Sequence, residues 1–146
     1  MNGFESVEIL LVEDSDADAE MTLRALKKQK LANKVTRVKD GIEALEFIAC
    51  TGAYADRQSV QPKLILLDLK MPRLDGIAVL KRLKSDEKTR MIPVVVLTSS
   101  AEESDMVETY NLGVNSYLVK PVDFAQFIDV VSQAGLYWAV LNALPR

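Results

Sequence analysis

Leu64-Ile65-Leu66-Leu67-Asp68-Leu69-Lys70-Met71-Pro72 is the pivot of this sequence. Four consecutive apolar residues predict a strand buried on both faces, as in the middle of a parallel sheet. The Asp68 carboxylate follows at the strand's carboxyl end, and then come a proline turn and a new helix. Open α/β sheets bind ligands in the crevice beyond those ends. A carboxylate placed there serves as metal ligand, nucleophile or helix cap, and Asp68 alone does not choose among the three.

Working outward, residues 7–12 are a second apolar run, and they end in the paired acids Glu13 and Asp14. Ser15 to Asp18 offers a capping box for a helix carrying Ala19, Leu23 and Leu26. Residues 34–39 alternate Val35 and Val38 with polar neighbours and predict an edge strand; Asp40 opens a second helix with an apolar stripe of Leu45, Ile48 and Ala49. The polar stretch between Cys50 and Pro62 is longer than the usual connection, and such loops tend to be functional or mobile. Downstream, Asp75 caps a third helix carrying Ile77, Leu80 and Leu83, and residues 93–97 are another buried strand, ending at Thr98. Ser100 and Glu103 form a capping box, Gly113 stops the fourth helix, and residues 116–119 are a short fifth strand ending in Lys120-Pro121. A last helix is expected from about Asp123 to near the end. Five strands alternating with helices predict a doubly wound α/β fold, a parallel sheet covered on both faces. Right-handed crossovers then bring Glu13, Asp14, Asp68, Thr98 and Lys120 to one rim.

The 146 residues fit one domain, 1–146, with a real core, and an appended output domain is not expected. A net charge of −3 argues against a nucleic-acid partner, and no apolar run reaches membrane-spanning length, so a cytoplasmic protein is expected. The chain has no histidine and one cysteine, Cys50, which excludes histidine catalysis, histidine metal sites and an internal disulfide. Cys50 is read as an inert packed thiol and Asp75 as a cap only.

Three carboxylates at one rim repel one another, and a divalent cation neutralises them. Mg²⁺ suits best, because it takes one or two carboxylates and keeps water and phosphate oxygens as its other ligands. Lys120 adds a point charge able to bind phosphate, and Thr98 adds a hydroxyl donor. Together they suit the three oxygens of a phosphoryl group, with a carboxylate beside them able to attack phosphorus. The chemistry implied is phosphoryl transfer onto an aspartate.

With these residues in order, the chain resembles the receiver domain of two-component response regulators over nearly its whole length. By that resemblance Glu13 and Asp14 match the acidic pair and Asp68 the phosphoacceptor in its Asp-Leu-x-Met-Pro turn. Thr98 matches the switch hydroxyl, Tyr117 the switch aromatic, and Lys120 the phosphate-binding lysine beside a cis proline, Pro121. The resemblance further implies a flavodoxin-like strand order 2-1-3-4-5 with five helices, metal ligation by Glu13, Asp14, Asp68 and the Lys70 backbone carbonyl, and a sensor histidine kinase as partner. Glu13 departs from the family's usual Asp. The long loop and the ending Tyr137-Trp138-x-x-Leu141-Asn142 resemble the stand-alone regulators partnered with bacterial and cyanobacterial phytochromes. In the last helix, Val130, Tyr137, Val140 and Leu144 lie largely off the stripe of Phe127, Ile128, Val131, Ala134, Trp138 and Leu141. A second apolar face at the chain's end predicts a homodimer.

Three rival functions are separable by single positions. A haloacid-dehalogenase-type phosphohydrolase needs an acid two residues after its nucleophile, where this chain has Lys70. A nucleotide switch needs a Gly-rich loop after the first strand, where the acids of residues 13–16 stand instead. A pseudo-receiver, a scaffold acting by dimerisation without phosphorylation, is the remaining alternative and would be expected to lack the acids or the lysine. A phosphorylatable switch, not a turnover enzyme, is therefore the expectation, with an unknown downstream protein as its target.

Overall fold

The computed structural model describes residues 8–27, 34–57, 61–71, 73–99, 111–114, 116–133 and 135. Among them, strands β1 (Glu8–Val12), β2 (Lys34–Val38), β3 (Leu64–Asp68), β4 (Val94–Thr98) and β5 (Ser116–Val119) form one parallel sheet in the order β2-β1-β3-β4-β5. The helices described are α1 (Asp16–Lys27), α2 (Gly41–Ala49), α3 (Gly76–Ser85) and α4 (Phe124–Gln133), with a 3₁₀ turn at Gly52–Tyr54. This is the doubly wound, flavodoxin-like arrangement. The expected fourth helix and its Ser100–Glu103 box fall on residues outside those described.

Side chains alternate across a strand, so each central strand feeds two cores. Leu10, Val12, Ile65, Leu67, Val94 and Val96 meet Phe47 and Ile48 of α2 and Val79, Leu80 and Leu83 of α3. Ile9, Leu11, Leu64, Leu66, Val95 and Leu97 meet Ala19 and Leu26 of α1 and Phe127 and Val131 of α4. Every residue of β3 and β4 is buried, which is why both read as unbroken apolar runs.

The helical stripes differ from their expected membership by a residue or two. In α2 the buried residues are Gly41, Ala44, Phe47 and Ile48, while Ala49 is exposed. Phe47 falls on the inward face at helical spacing from Gly41 and Ala44, and Tyr54 packs edge-on to it at 5.1 Å while Arg57 lies 3.9 Å over its ring. The same segment forms the first part of the long connection. Tyr54 Oη donates to Glu43 and Arg57 Nε donates to Phe47 O at 2.9 Å, so residues 51–57 are pinned along α2. Burial, then the hydrogen bond and charge of Glu43, push the Tyr54 hydroxyl up to about 12. At the carboxyl end, Asp123 Oδ1 accepts from Gln126 N–H at 2.8 Å, starting α4 where expected. α4 is described as far as Gln133, and Gly135 takes φ 75°, a left-handed conformation that glycine adopts readily. Tyr137, Trp138, Val140, Leu141, Asn142 and Leu144 lie outside the described residues.

Candidate functional site

The rim is assembled by strand parity. Glu13 continues the pairing of β1, its N–H donating to Val38 O at 3.0 Å, and Lys120 continues that of β5, its N–H donating to Thr98 O at 2.8 Å. With alternation carried one step further, Glu13, Asp68 and Lys120 fall in phase with Leu11, Leu66 and Leu118, on the face that α1 and α4 cover. Thr98 falls in phase with Val94 and Val96 on the opposite face. Tyr117, paired with Val96, is half-buried against that same face. Sequence position alone puts these residues at one edge; parity divides them into a charged trio and a Thr98–Tyr117 pair.

The trio is in contact. Lys120 Nζ donates to Glu13 Oε1 at 3.0 Å and to Asp18 Oδ2 at 3.0 Å, and lies 3.5 Å from Asp68 Oδ1. Glu13 is fully buried and Asp68 is 4% exposed, whereas Asp14 is exposed. Carboxylate oxygens of Glu13, Asp14 and Asp68 all lie within 4.8 Å of one another. Burial first, and then the Glu13 carboxylate, push the Asp68 carboxyl up to about 7, with Lys120 pulling the other way. Burial also opposes the Lys120 ammonium, but Asp18, Glu13 and Asp68 outweigh it and raise its pKa. One lysine therefore does not neutralise the pocket. An all-oxygen donor set of three acids, one with its pKa raised by burial and by a neighbouring carboxylate, fits a hard divalent cation.

Of the capping box expected at Ser15 to Asp18, only half forms. Ser15 Oγ accepts from Asp18 N–H at 3.1 Å, but Ser15 N–H donates to Glu13 Oε2 at 3.2 Å instead of to Asp18. The Asp18 carboxylate is thus released to Lys120. Its legible signal was an acid one helical turn after Asp14.

Gly76 is the second residue that the sequence did not single out. A Cβ there would stand 2.4 Å from Asp68 O and 2.6 Å from Leu69 Cα, and Gly76 N–H donates to Leu69 O at 2.8 Å. The first turn of α3 thus lies directly on the backbone that carries Asp68. Asp75 begins that turn, its Oδ1 accepting from Ala78 N–H at 3.0 Å, which is the capping role expected of it. Lys70 sits in the turn two residues beyond Asp68, Pro72 is outside the described residues, and the Lys120–Pro121 peptide is cis.

The chain is similar to known proteins over nearly its whole length. The family profile of the response regulator receiver domain matches residues 9–132. The response regulator Rcp1 of Synechocystis sp. is 38% identical over 137 residues, covering 94% of this chain and 92% of Rcp1. Among solved structures, the bacteriophytochrome response regulator AtBRR superposes with a TM-score of 0.86 at 50% identity, over 95% of this chain and 99% of AtBRR. The Mn²⁺-bound form of Rcp1 gives 0.75 at 37% identity, over 95% and 99% of the two chains. The phosphorylated cyanobacterial phytochrome response regulator RcpA gives 0.78 at 37% identity, over 97% and 100%.

Proposed function

The chain belongs to the response regulator receiver family, signalling proteins rather than classical enzymes, and from that premise we propose that it is a switch set by phosphorylation of Asp68. The observation that carries this is the pairing of a buried Asp68 with Lys120 at 3.5 Å, inside a cluster with Glu13 and Asp14. An Asp68 carboxylate oxygen attacks the phosphorus of a kinase phosphohistidine; the O–P bond forms as the P–N bond breaks, and the imidazole leaves with the electron pair. Lys120 and Thr98 donate to the phosphoryl oxygens, and the buried walls keep bulk water from the new acyl phosphate. Glu13, Asp14, Asp68 and the Lys70 carbonyl would hold Mg²⁺, which supplies positive charge against the phosphoryl oxygens when bound. The Mn²⁺-bound form of the relative Rcp1 supports a divalent cation here.

Thr98 and Tyr117, on the face away from the trio, pass the change on. The phosphoryl group draws the Thr98 hydroxyl toward it, and Tyr117 turns into the space released, a two-state element biased by local charge. The donor is a sensor histidine kinase of the phytochrome type, supported by the likeness to AtBRR and RcpA. The signal leaves by protein–protein contact, from a homodimer, in the cytoplasm. Incubation with acetyl phosphate and Mg²⁺, followed by intact mass under conditions that keep acyl phosphates, tests the assignment. Wild type gains one phosphoryl group, and loses that gain when Mg²⁺ is chelated; Asp68→Asn gains none. A variant that is still phosphorylated places the acceptor elsewhere.

A further inference from the structure

Lys120 carries three N–H donors, and two of them are engaged by carboxylates other than Asp68. Glu13, one of these, is fully buried within the acid cluster. Asp18, the other, is not in that cluster; it reaches in from the first turn of α1 with its side chain 40% exposed. Its Oδ2 and Asp68 Oδ1 flank the same ammonium at 3.0 and 3.5 Å, so they cannot lie further apart than those two distances taken together.

We propose that Asp18 is a positioning residue that shares Lys120 with the phosphoryl group and thereby sets how tightly the site holds a phosphoryl oxygen; this rests on Asp68 as acceptor. Two effects act in the same direction. Asp18 holds the ammonium toward the outer rim, away from an oxygen attached to Asp68. Its own negative charge also faces the anion that phosphorylation builds on Asp68. Glu13 differs, because a divalent cation held by Glu13, Asp14 and Asp68 would offset its charge, which leaves Asp18 as the residual competitor for Lys120. A bare carboxylate on Asp68 lets Asp18 keep its hydrogen bond at 3.0 Å, whereas a phosphoryl oxygen has to compete for it.

Asp18→Asn isolates the charge. It preserves size and the backbone N–H that Ser15 caps. Asp16→Asn is the control: it removes the same charge from the same helical turn, but the 81% exposed Asp16 side chain pairs with Arg37 at 2.9 Å, not with Lys120. Calorimetric titration of the full chain with beryllofluoride in saturating Mg²⁺, and separately with Mg²⁺ alone, reads the effect. Asp18→Asn is expected to bind beryllofluoride about three- to tenfold more tightly, the scale of one partly screened charge at this range. Its Mg²⁺ affinity is expected to fall, since a negative charge is lost; damage to the fold would weaken both ligands, so the opposite signs separate the two causes. Asp16→Asn should stay near wild type in both titrations. Unchanged or weaker beryllofluoride binding by Asp18→Asn, with wild type binding normally, overturns the proposal, as does an equal gain in Asp16→Asn. A wild type that binds no beryllofluoride in Mg²⁺ overturns the phosphoacceptor function, and this inference with it.

Discussion

As the proposed acceptor, Asp68 stands under opposing demands: its carboxylate would have to be charged to react, yet burial and Glu13 push its pKa up to about 7. A carboxyl whose folded pKa exceeds its unfolded value of 3.8 adds stability below that value and loses it as pH rises through the folded pKa. Metal-free wild type should therefore lose stability relative to Asp68→Asn as pH rises from about 4 to about 8, by on the order of 2–4 kcal/mol. Denaturant unfolding in chelator at several pH values measures it. The variant is expected to be the more stable at the alkaline end, with the gap closing toward the acid end. A gap independent of pH would assign the effect to packing. Mg²⁺ should stabilise wild type and leave the variant nearly unmoved, because a ligand stabilises only the state that binds it.

Two elements place the chemistry, and each can be disturbed alone. The first turn of α3 rests on the Asp68 backbone through Gly76, with no room for a methyl group. Gly76→Ala is expected to cost about 1–3 kcal/mol of stability and to lower the phosphorylation rate by shifting the acceptor. Thermal melts together with the mass assay separate the two losses, and an unshifted melting temperature would show that the approach is looser than the geometry implies. On the other face of the sheet, Thr98 at the end of β4 and Tyr117 in β5 are the proposed transmission pair. Thr98→Ala should still accept phosphate on Asp68, but amide exchange across β5 should no longer respond. A response equal to that of wild type removes Thr98 from the mechanism.

At the scale of the molecule, β5 and β2 are the sheet's edge strands, and they are dressed differently. Arg37 of β2 ties back to Glu13 O and to Asp16, which anchors that strand to the start of α1. At the end of β5, Val119 is 39% exposed, and Val130 of α4 is half-buried. Apolar surface at an edge strand, continued in sequence by Tyr137 and Val140, is the reason a symmetric dimer is expected on this side. Light scattering over a range of concentrations should show twice the chain mass, and Tyr137→Glu with Val140→Glu should lower it toward the monomer. A wild type that stays monomeric at high concentration ends the dimer proposal. A double variant that dimerises unchanged moves the interface elsewhere.

Strand identity, strand count and the rim residues were legible in the sequence, because a doubly buried strand has to be apolar throughout and its functional residue has to stand at its carboxyl end. Residues 64–68 and 94–98 show both properties without any partner in view. The strand order came by family resemblance, since periodicity says nothing about which strand lies beside which. What tertiary structure alone decided were contacts between groups distant in sequence. Phe47 rather than Ala49 is buried in α2, and Tyr54 and Arg57, from the following connection, pack on its ring. Asp18 becomes a partner of Lys120, 102 residues away, because Glu13 takes the Ser15 N–H that a capping box would have used. Gly76 matters only where α3 descends onto Asp68. A local pattern records what a residue needs from its own element; which carboxylate reaches a given ammonium is set by how the elements pack.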